Sequence, residues 1–94
     1  MMLERDVERR LKRGIDRLGG LCLKWVSPGK AGVPDRIVIL RGPTIWFVEL
    51  KTERGKLTPL QAAMQQSLRA LGCNVVTLYG PADVDRFVAS LDIL

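Results

Sequence analysis

Two apolar runs with charged residues at their ends constrain the fold of this chain more than any other feature. The first run, residues 37–40, follows Asp35, and the second, residues 45–50, contains Glu49 and precedes Lys51. Burying an unpaired charge is costly, so ionised side chains at the ends of such runs require a partner. Because side chains alternate along a strand, Glu49 and Lys51 point to the same face. We therefore expect two neighbouring strands that bring two carboxylates and one ammonium group to one end of a sheet.

The rest of the chain alternates between helical and extended patterns. The predicted elements are a helix over residues 3–18, strands over residues 21–26, 35–40 and 44–51, a helix that Thr58 and Pro59 begin and Gly72 ends, a strand over residues 73–79, and a terminal helix from Pro81. The predicted apolar faces are Leu3, Val7, Leu11, Ile15 and Leu18 on the first helix, and Leu60, Ala63, Met64, Leu68 and Leu71 on the second. The short turn between the second and third strands favours an antiparallel hairpin. We expect an α/β sandwich of order αβββαβα with a mixed sheet flanked by helices, formed as one domain over residues 1–94.

The composition excludes several classes of chemistry. The chain has no histidine, which removes Ser-His-Asp triads and the usual zinc sites. Cys22 and Cys73 are too few for a structural zinc site, and we expect both to be free thiols in a reducing compartment. The net charge of +5 favours an acidic partner, most often nucleic acid. No run is long enough to cross a bilayer and the N-terminus is charged, so we expect a cytoplasmic protein without a membrane partner.

The charged residues of the two runs predict a site for a hard metal ion. The thirteen residues between Asp35 and Glu49 suffice for a hairpin that brings both acids to one sheet end. Two such carboxylates repel each other, and Mg²⁺ or Mn²⁺ relieves that repulsion. The backbone carbonyl of Leu50 is a plausible third ligand, and Lys51 would lie beside a water activated by the metal. On their own, Glu49 and Lys51 could form a surface ion pair, but the upstream Pro34-Asp35 favours the metal site.

Three motifs follow one another along the chain: Gly32-Val33-Pro34-Asp35-Arg36, Val48-Glu49-Leu50-Lys51-Thr52 and Leu57-Thr58-Pro59-Leu60-Gln61. This ordered set resembles the PD-(D/E)XK nuclease superfamily and, more narrowly, its VRR-NUC (virus-type replication-repair nuclease) family. The resemblance implies a restriction-endonuclease-like core and a Mg²⁺- or Mn²⁺-dependent endodeoxyribonuclease. It also implies a small phage or prophage protein, acting in the cytoplasm of a bacterial host as a homodimer that cuts branched DNA such as four-way (Holliday) junctions.

The resemblance also implies roles for individual residues. Asp35 and Glu49 would bind the metal, and Lys51 would be the catalytic lysine. Gln61 would match a glutamine that lines the site, although a residue in the first turn of a helix can also simply face water. The family places a further metal-site glutamate on the first helix, where Glu8 fits best and Glu4, one turn earlier, is the alternative. Either glutamate could instead be a solvated partner of a nearby arginine.

Basic residues near the predicted catalytic end of the sheet are expected to contact DNA phosphates. They are Lys30, Arg36, Arg54 and Lys56. The glycine-containing loop over residues 27–32 lacks the P-loop pattern and precedes a strand, so we expect no nucleotide cofactor. Two other functions fit the same features: a non-catalytic nucleic-acid-binding module with the nuclease fold, and a restriction-type nuclease that cuts duplex DNA.

Overall fold

The computed structural model describes residues 2–92 and contains three helices and four strands within that range. The elements are α1 (Glu4–Arg17), β1 (Leu21–Lys24), β2 (Arg36–Leu40), β3 (Thr44–Lys51), α2 (Pro59–Ala70), β4 (Asn74–Tyr79) and α3 (Gly80–Leu91). Their order confirms the predicted αβββαβα arrangement. Within residues 2–92, no helix combines the length and apolarity needed to cross a membrane.

The four strands form one mixed sheet in the order β1-β2-β3-β4. β2 pairs with β1 and β3 in antiparallel fashion, which confirms the predicted hairpin, and β4 pairs with β3 in parallel. The first strand is shorter than predicted and ends at Lys24. Trp25 nevertheless continues the pairing, because its backbone N–H donates to the carbonyl oxygen of Asp35 at 3.0 Å.

The core lies between α1, α3 and one face of the sheet. Cys22, Val38 and Trp46 are paired across neighbouring strands and therefore share that face. The buried core cluster consists of Val7, Leu11, Ile15, Cys22, Val38, Val48, Leu50, Leu78, Val84, Phe87 and Leu91. Trp46 packs edge-on against Phe87 with ring centroids 5.3 Å apart. Both cysteines are free thiols, Cys22 in this core and Cys73 partly buried.

The other sheet face is only partly covered. The register Leu21–Ile39–Ile45 shows that Leu21 and Ile45 lie on the face opposite the core, as does Leu23. Leu21, Leu23 and Ile45 are 56%, 45% and 42% exposed, and we call these three residues the open face. α2 packs on this side of the sheet chiefly against β4, which leaves the β1 side uncovered.

Two expectations about helix burial are wrong. Leu3 does not join the core, because it caps α1 at its N-terminus and stays exposed beside a cavity of about 450 Å³. The predicted apolar face of α2 is also not buried as a unit, since Leu60 and Leu71 are exposed and Gln65 is the buried residue of this helix. A helix that rests mainly on one edge strand cannot bury a full apolar stripe.

Candidate active site

The hairpin and its neighbouring helices bring the predicted acids to one end of the sheet. Arg36 of β2 is paired with Val48 of β3, so Asp35 and Glu49, the next residues outward, meet at this end. Asp35 follows the fully buried Pro34, which anchors the chain there. The Asp35 carboxylate accepts a hydrogen bond from the backbone N–H of Leu50 at 2.9 Å. Asp35 is thus oriented by the strand that carries the other acid.

Three carboxylates form a cluster at this end. Glu4 at the start of α1, Asp35 before β2 and Glu49 on β3 each place an oxygen atom within 4.8 Å of the others. The three residues differ in burial: Glu4 is exposed, Asp35 is half-buried, and Glu49 is 1% exposed. Oxygen ligands in this number and spacing suit a hard divalent cation.

The two oxygens of Glu49 have different surroundings. Oε2 accepts a hydrogen bond from Gln61 Nε2 at 3.3 Å and lies 3.8 Å from Lys51 Nζ. Oε1 is buried and has no hydrogen-bond partner among the described residues. A buried carboxylate oxygen without a partner carries a large desolvation cost, which a bound cation would offset. The residues present therefore fit a divalent metal, with Glu49 Oε1 as one ligand atom.

The electrostatics of Glu49 agree with a cation at this position. Burial, together with the charge of the neighbouring Asp35, raises the pKa of Glu49 to about 8. Lys51 acts in the opposite direction but does not compensate. Near neutral pH the metal-free cluster therefore keeps a proton on the carboxyl group of Glu49. A divalent cation would displace that proton, because the metal ligand is the carboxylate form.

The structure brings Glu4, and not Glu8, together with Asp35 and Glu49. Glu8 is the partner of Arg36, whose Nε donates to Glu8 Oε1 at 2.8 Å and whose Nη2 contacts the same oxygen. Glu8 thus takes the arginine-paired position that the sequence left open for either glutamate. The ranking of Glu8 before Glu4 is reversed in the acid cluster, since the sheet end meets the first turn of α1.

Gln61 lies where the third motif predicts, at the first turn of α2. Its backbone N–H donates to Thr58 Oγ1 at 3.1 Å, and its Oε1 accepts from the backbone N–H of Thr58 at 2.9 Å. This capping box fixes the side chain of Gln61, so that Nε2 is free to donate to Glu49.

The predicted phosphate contacts divide into two groups. Lys30 lies in the loop before Asp35, and Arg54 and Lys56 lie in the loop after β3; all three side chains are exposed. Arg36 differs, because its side chain is only 15% exposed and is bound to Glu8. Arg36 is therefore part of the packing between α1 and β2 and is not presented for a phosphate.

Two polar residues next to the site were not predicted from the sequence. Thr77 of β4 is paired with Glu49, and its hydroxyl accepts a hydrogen bond from Gln65 Nε2 of α2 at 2.9 Å. In the sequence, the indication of this contact was that the polar Thr77 interrupts an apolar strand.

Comparison with known proteins identifies the family, although no protein-family model matches the chain. The chain is 41% identical over 78 residues to "Putative nuclease p44" of Acyrthosiphon pisum secondary endosymbiont phage 1, and the match spans 83% of this chain and 84% of that protein. A solved structure described as "VRR_NUC domain" is 36% identical, has a TM-score of 0.86, and is matched over 92% of this chain and 94% of that chain. The motifs, the fold and these relatives together show that the chain belongs to the VRR-NUC family of nucleases.

Proposed function

We propose that this nuclease is a divalent-metal-dependent endodeoxyribonuclease that uses Mg²⁺ or Mn²⁺. The single observation that carries the proposal is the buried, unpartnered Oε1 of Glu49 beside Asp35 and Glu4. We assign Glu49, Asp35 and Glu4 as the acids that hold the cation, and we keep the backbone carbonyl of Leu50 as a further ligand. The relative from a phage supports a site of action in the cytoplasm of a bacterial host.

The side chains around the acids have separate tasks in this reaction. A bound cation would supply an activated water and neutralise charge on the scissile phosphate. Lys51 Nζ, 3.8 Å from Glu49 Oε2, is close enough to orient that water or to offset the charge that develops on phosphorus. Gln61 donates to Oε2 and so leaves Oε1 as the oxygen for the cation. Lys30, Arg54 and Lys56 would contact phosphates on either side of the cut.

The test is a cleavage assay on labelled four-way junction, flap and linear duplex DNA with Mg²⁺, Mn²⁺ or EDTA. We expect metal-dependent cutting, with the junction cut fastest, and a loss of roughly 100-fold or more in Lys51→Ala. Gln66→Ala, an exposed change elsewhere on α2, serves as the control. Binding without cutting in either metal would refute the nuclease assignment and favour a non-catalytic binding module. Equal cutting of duplex and junction would refute the preference for branched DNA.

We also propose that the protein acts as a homodimer. The open face supports this, because Leu21, Leu23 and Ile45 form an uncovered apolar surface on an edge of the sheet, where a second copy could pack. Two copies would provide two sites, one for each strand of a two-fold symmetric junction.

Light scattering coupled to gel filtration tests the dimer. Leu23→Lys on the open face is compared with Leu3→Lys, because Leu23 and Leu3 are both 45% exposed and lie on different sides of the molecule. We expect a dimer mass for the wild type and for Leu3→Lys, and a monomer mass for Leu23→Lys. A monomeric wild type, or a dimer that survives Leu23→Lys, would refute this interface.

A further inference from the structure

A buried polar contact helps to hold α2 on the sheet, beside the half-buried apolar residues Met64 and Leu68 of the same helix. Gln65 is 2% exposed and is the buried residue of this helix, whereas Leu60 and Leu71 are exposed. Gln65 Nε2 donates to Thr77 Oγ1 at 2.9 Å, and the Thr77 hydroxyl lies 3.2 Å from Gln65 Oε1, to which it donates. Arg69 Nη2 also donates to Gln65 Oε1 at 3.3 Å. The position of α2 over β4 therefore depends in part on how Gln65 and Thr77 are bonded.

This contact is directly adjacent to the acid cluster. Thr77 is paired with Glu49 across β3 and β4, so both side chains lie on the same sheet face. Gln65 follows Gln61 by one helical turn, which puts the two glutamines on the same side of α2. Gln65 donates to Thr77, and Gln61 donates to Glu49 Oε2 at 3.3 Å.

We propose that Gln65 and Thr77 are positioning residues for the nuclease reaction, because their hydrogen bond sets the distance between Gln61 and Glu49. The proposal rests on the proposed function of the acid cluster. Neither residue touches the acids in the structure by a hydrogen bond, so each acts through Gln61. The distance of 3.3 Å between Gln61 Nε2 and Glu49 Oε2 is already long for a hydrogen bond, so a small shift of α2 would break it. Glu49 Oε2 would then be held by the more distant Lys51 Nζ, at 3.8 Å, and the carboxyl group could rotate away from the position that Asp35 and Glu4 share.

The first experiment compares Thr77→Val, which removes the hydroxyl at constant shape, with Thr77→Ser, which keeps it. We expect Thr77→Val to lower kcat by roughly 10- to 100-fold, the size of effect that a displaced group of about 1 Å produces. KM for DNA should change by less than about 2-fold, because the exposed lysines and arginine are untouched. Thr77→Ser should recover kcat to within about 3-fold of the wild type. Gln66→Met, on the exposed side of the same helix, is the matched control for the Gln65→Met change in the double variant that follows.

A double variant separates positioning from packing. Replacing both partners of a buried hydrogen bond by apolar groups of similar size can leave stability nearly unchanged. We therefore expect Gln65→Met combined with Thr77→Val to recover the Tm that Thr77→Val loses, while kcat stays low. A recovery of kcat together with the Tm would overturn the proposal, because packing alone would then explain the effect.

A double-mutant cycle tests the route through Gln61. If Thr77 acts through Gln61, then Thr77→Val should cost less than about 2-fold in kcat when Gln61→Met is already present. Losses that multiply in the double variant would show independent effects and would refute the proposed route.

The side-chain amide of Gln61 provides a readout that does not require cutting. In ¹H–¹⁵N spectra, we expect the Nε2 resonances of Gln61 to differ from those of the exposed Gln66 and to move towards them in Thr77→Val. Unchanged Gln61 resonances in Thr77→Val would refute the positioning role even if the nuclease reaction is confirmed. A wild type that cuts no DNA would refute the proposed function. The spectrum would still show whether Thr77 controls the contact between Gln61 and Glu49.

Discussion

Glu49→Gln should stabilise the metal-free protein at alkaline pH while it removes a proposed metal ligand. The substitution keeps the shape of the side chain and still offers an oxygen to Gln61, but it carries no charge. In the wild type, Glu49 is 1% exposed, and burial together with the charge of Asp35 raises its pKa to about 8. The ionised form is thus the unfavourable one in the metal-free fold.

The sign and size of the effect follow from proton binding. The ordinary pKa of this carboxyl group is 4.5, so between about pH 4.5 and pH 8 the folded state keeps a proton that the unfolded chain releases. The free energy of unfolding therefore falls as the pH rises from about 4.5 to 8. Below about pH 4.5 both states hold the proton, so this loss of stability does not occur. At about 1.4 kcal/mol per pH unit, the loss is at most about 5 kcal/mol at pH 9. That is a large share of the roughly 5–15 kcal/mol that stabilises a typical small domain.

Urea unfolding with EDTA at pH 5, 7 and 9 measures this difference. We expect Glu49→Gln and the wild type to be about equally stable at pH 5, and the variant to be more stable by about 3–5 kcal/mol at pH 9. The control is Glu53→Gln, which removes the same charge at an exposed position and should shift stability by less than about 0.5 kcal/mol. Saturating Mn²⁺ should reverse the order, because only the wild type retains the full ligand set. Parallel pH profiles of wild type and Glu49→Gln would refute the electrostatic argument.

Three further predictions concern the residues around the cluster. Glu4→Gln should weaken Mn²⁺ binding, measured by titration calorimetry, by about 10-fold or more, whereas Glu8→Gln should leave it within about 2-fold. The opposite order would show that Glu8 is the metal-binding acid of α1. Glu8→Gln should instead lower the free energy of unfolding by about 1–3 kcal/mol, because the largely buried Arg36 loses its ionic partner, and urea unfolding with no change would contradict this. Gly32→Ala should cost about 2 kcal/mol or more, since Gly32 has φ +88° and an added Cβ would lie 2.6 Å from the Leu60 carbonyl oxygen; unchanged stability would show that the loop can move away from α2.

The strands and the two strand acids were predictable because their signals are local. Side-chain alternation put Glu49 and Lys51 on one face, and the antiparallel pairing of β2 and β3 brings Asp35 opposite Glu49 without any further information. The capping box of Thr58 and Gln61 was likewise readable from two residues three positions apart. Each of these features depends on neighbours in the chain or on a hairpin with a short turn.

The burial of α2 was not predictable in the same way. An apolar stripe indicates which side of a helix could be buried, but the area available on the sheet decides how much of it is buried. α2 lies chiefly against β4, so Leu60 and Leu71 remain exposed while the polar Gln65 is buried against Thr77. That contact joins residues twelve positions apart on two different elements, and no periodicity within α2 indicates it.

The choice between Glu4 and Glu8 shows why a sequence pattern can leave a site residue uncertain by one helical turn. The two glutamates lie on nearly the same side of α1, separated by about 6 Å along its axis. What distinguishes them is the position of Arg36, which follows Asp35 by one residue and therefore points to the opposite face, under α1. There Arg36 binds Glu8 with two donor nitrogens, and the same geometry leaves Glu4 level with Asp35 and Glu49. Arg36 thus occupies Glu8, which supports Glu4 as the proposed helix acid. Arg36→Met should then allow Glu8 to compete for the cation, so that Glu4→Gln no longer lowers the Mn²⁺ affinity by the full 10-fold.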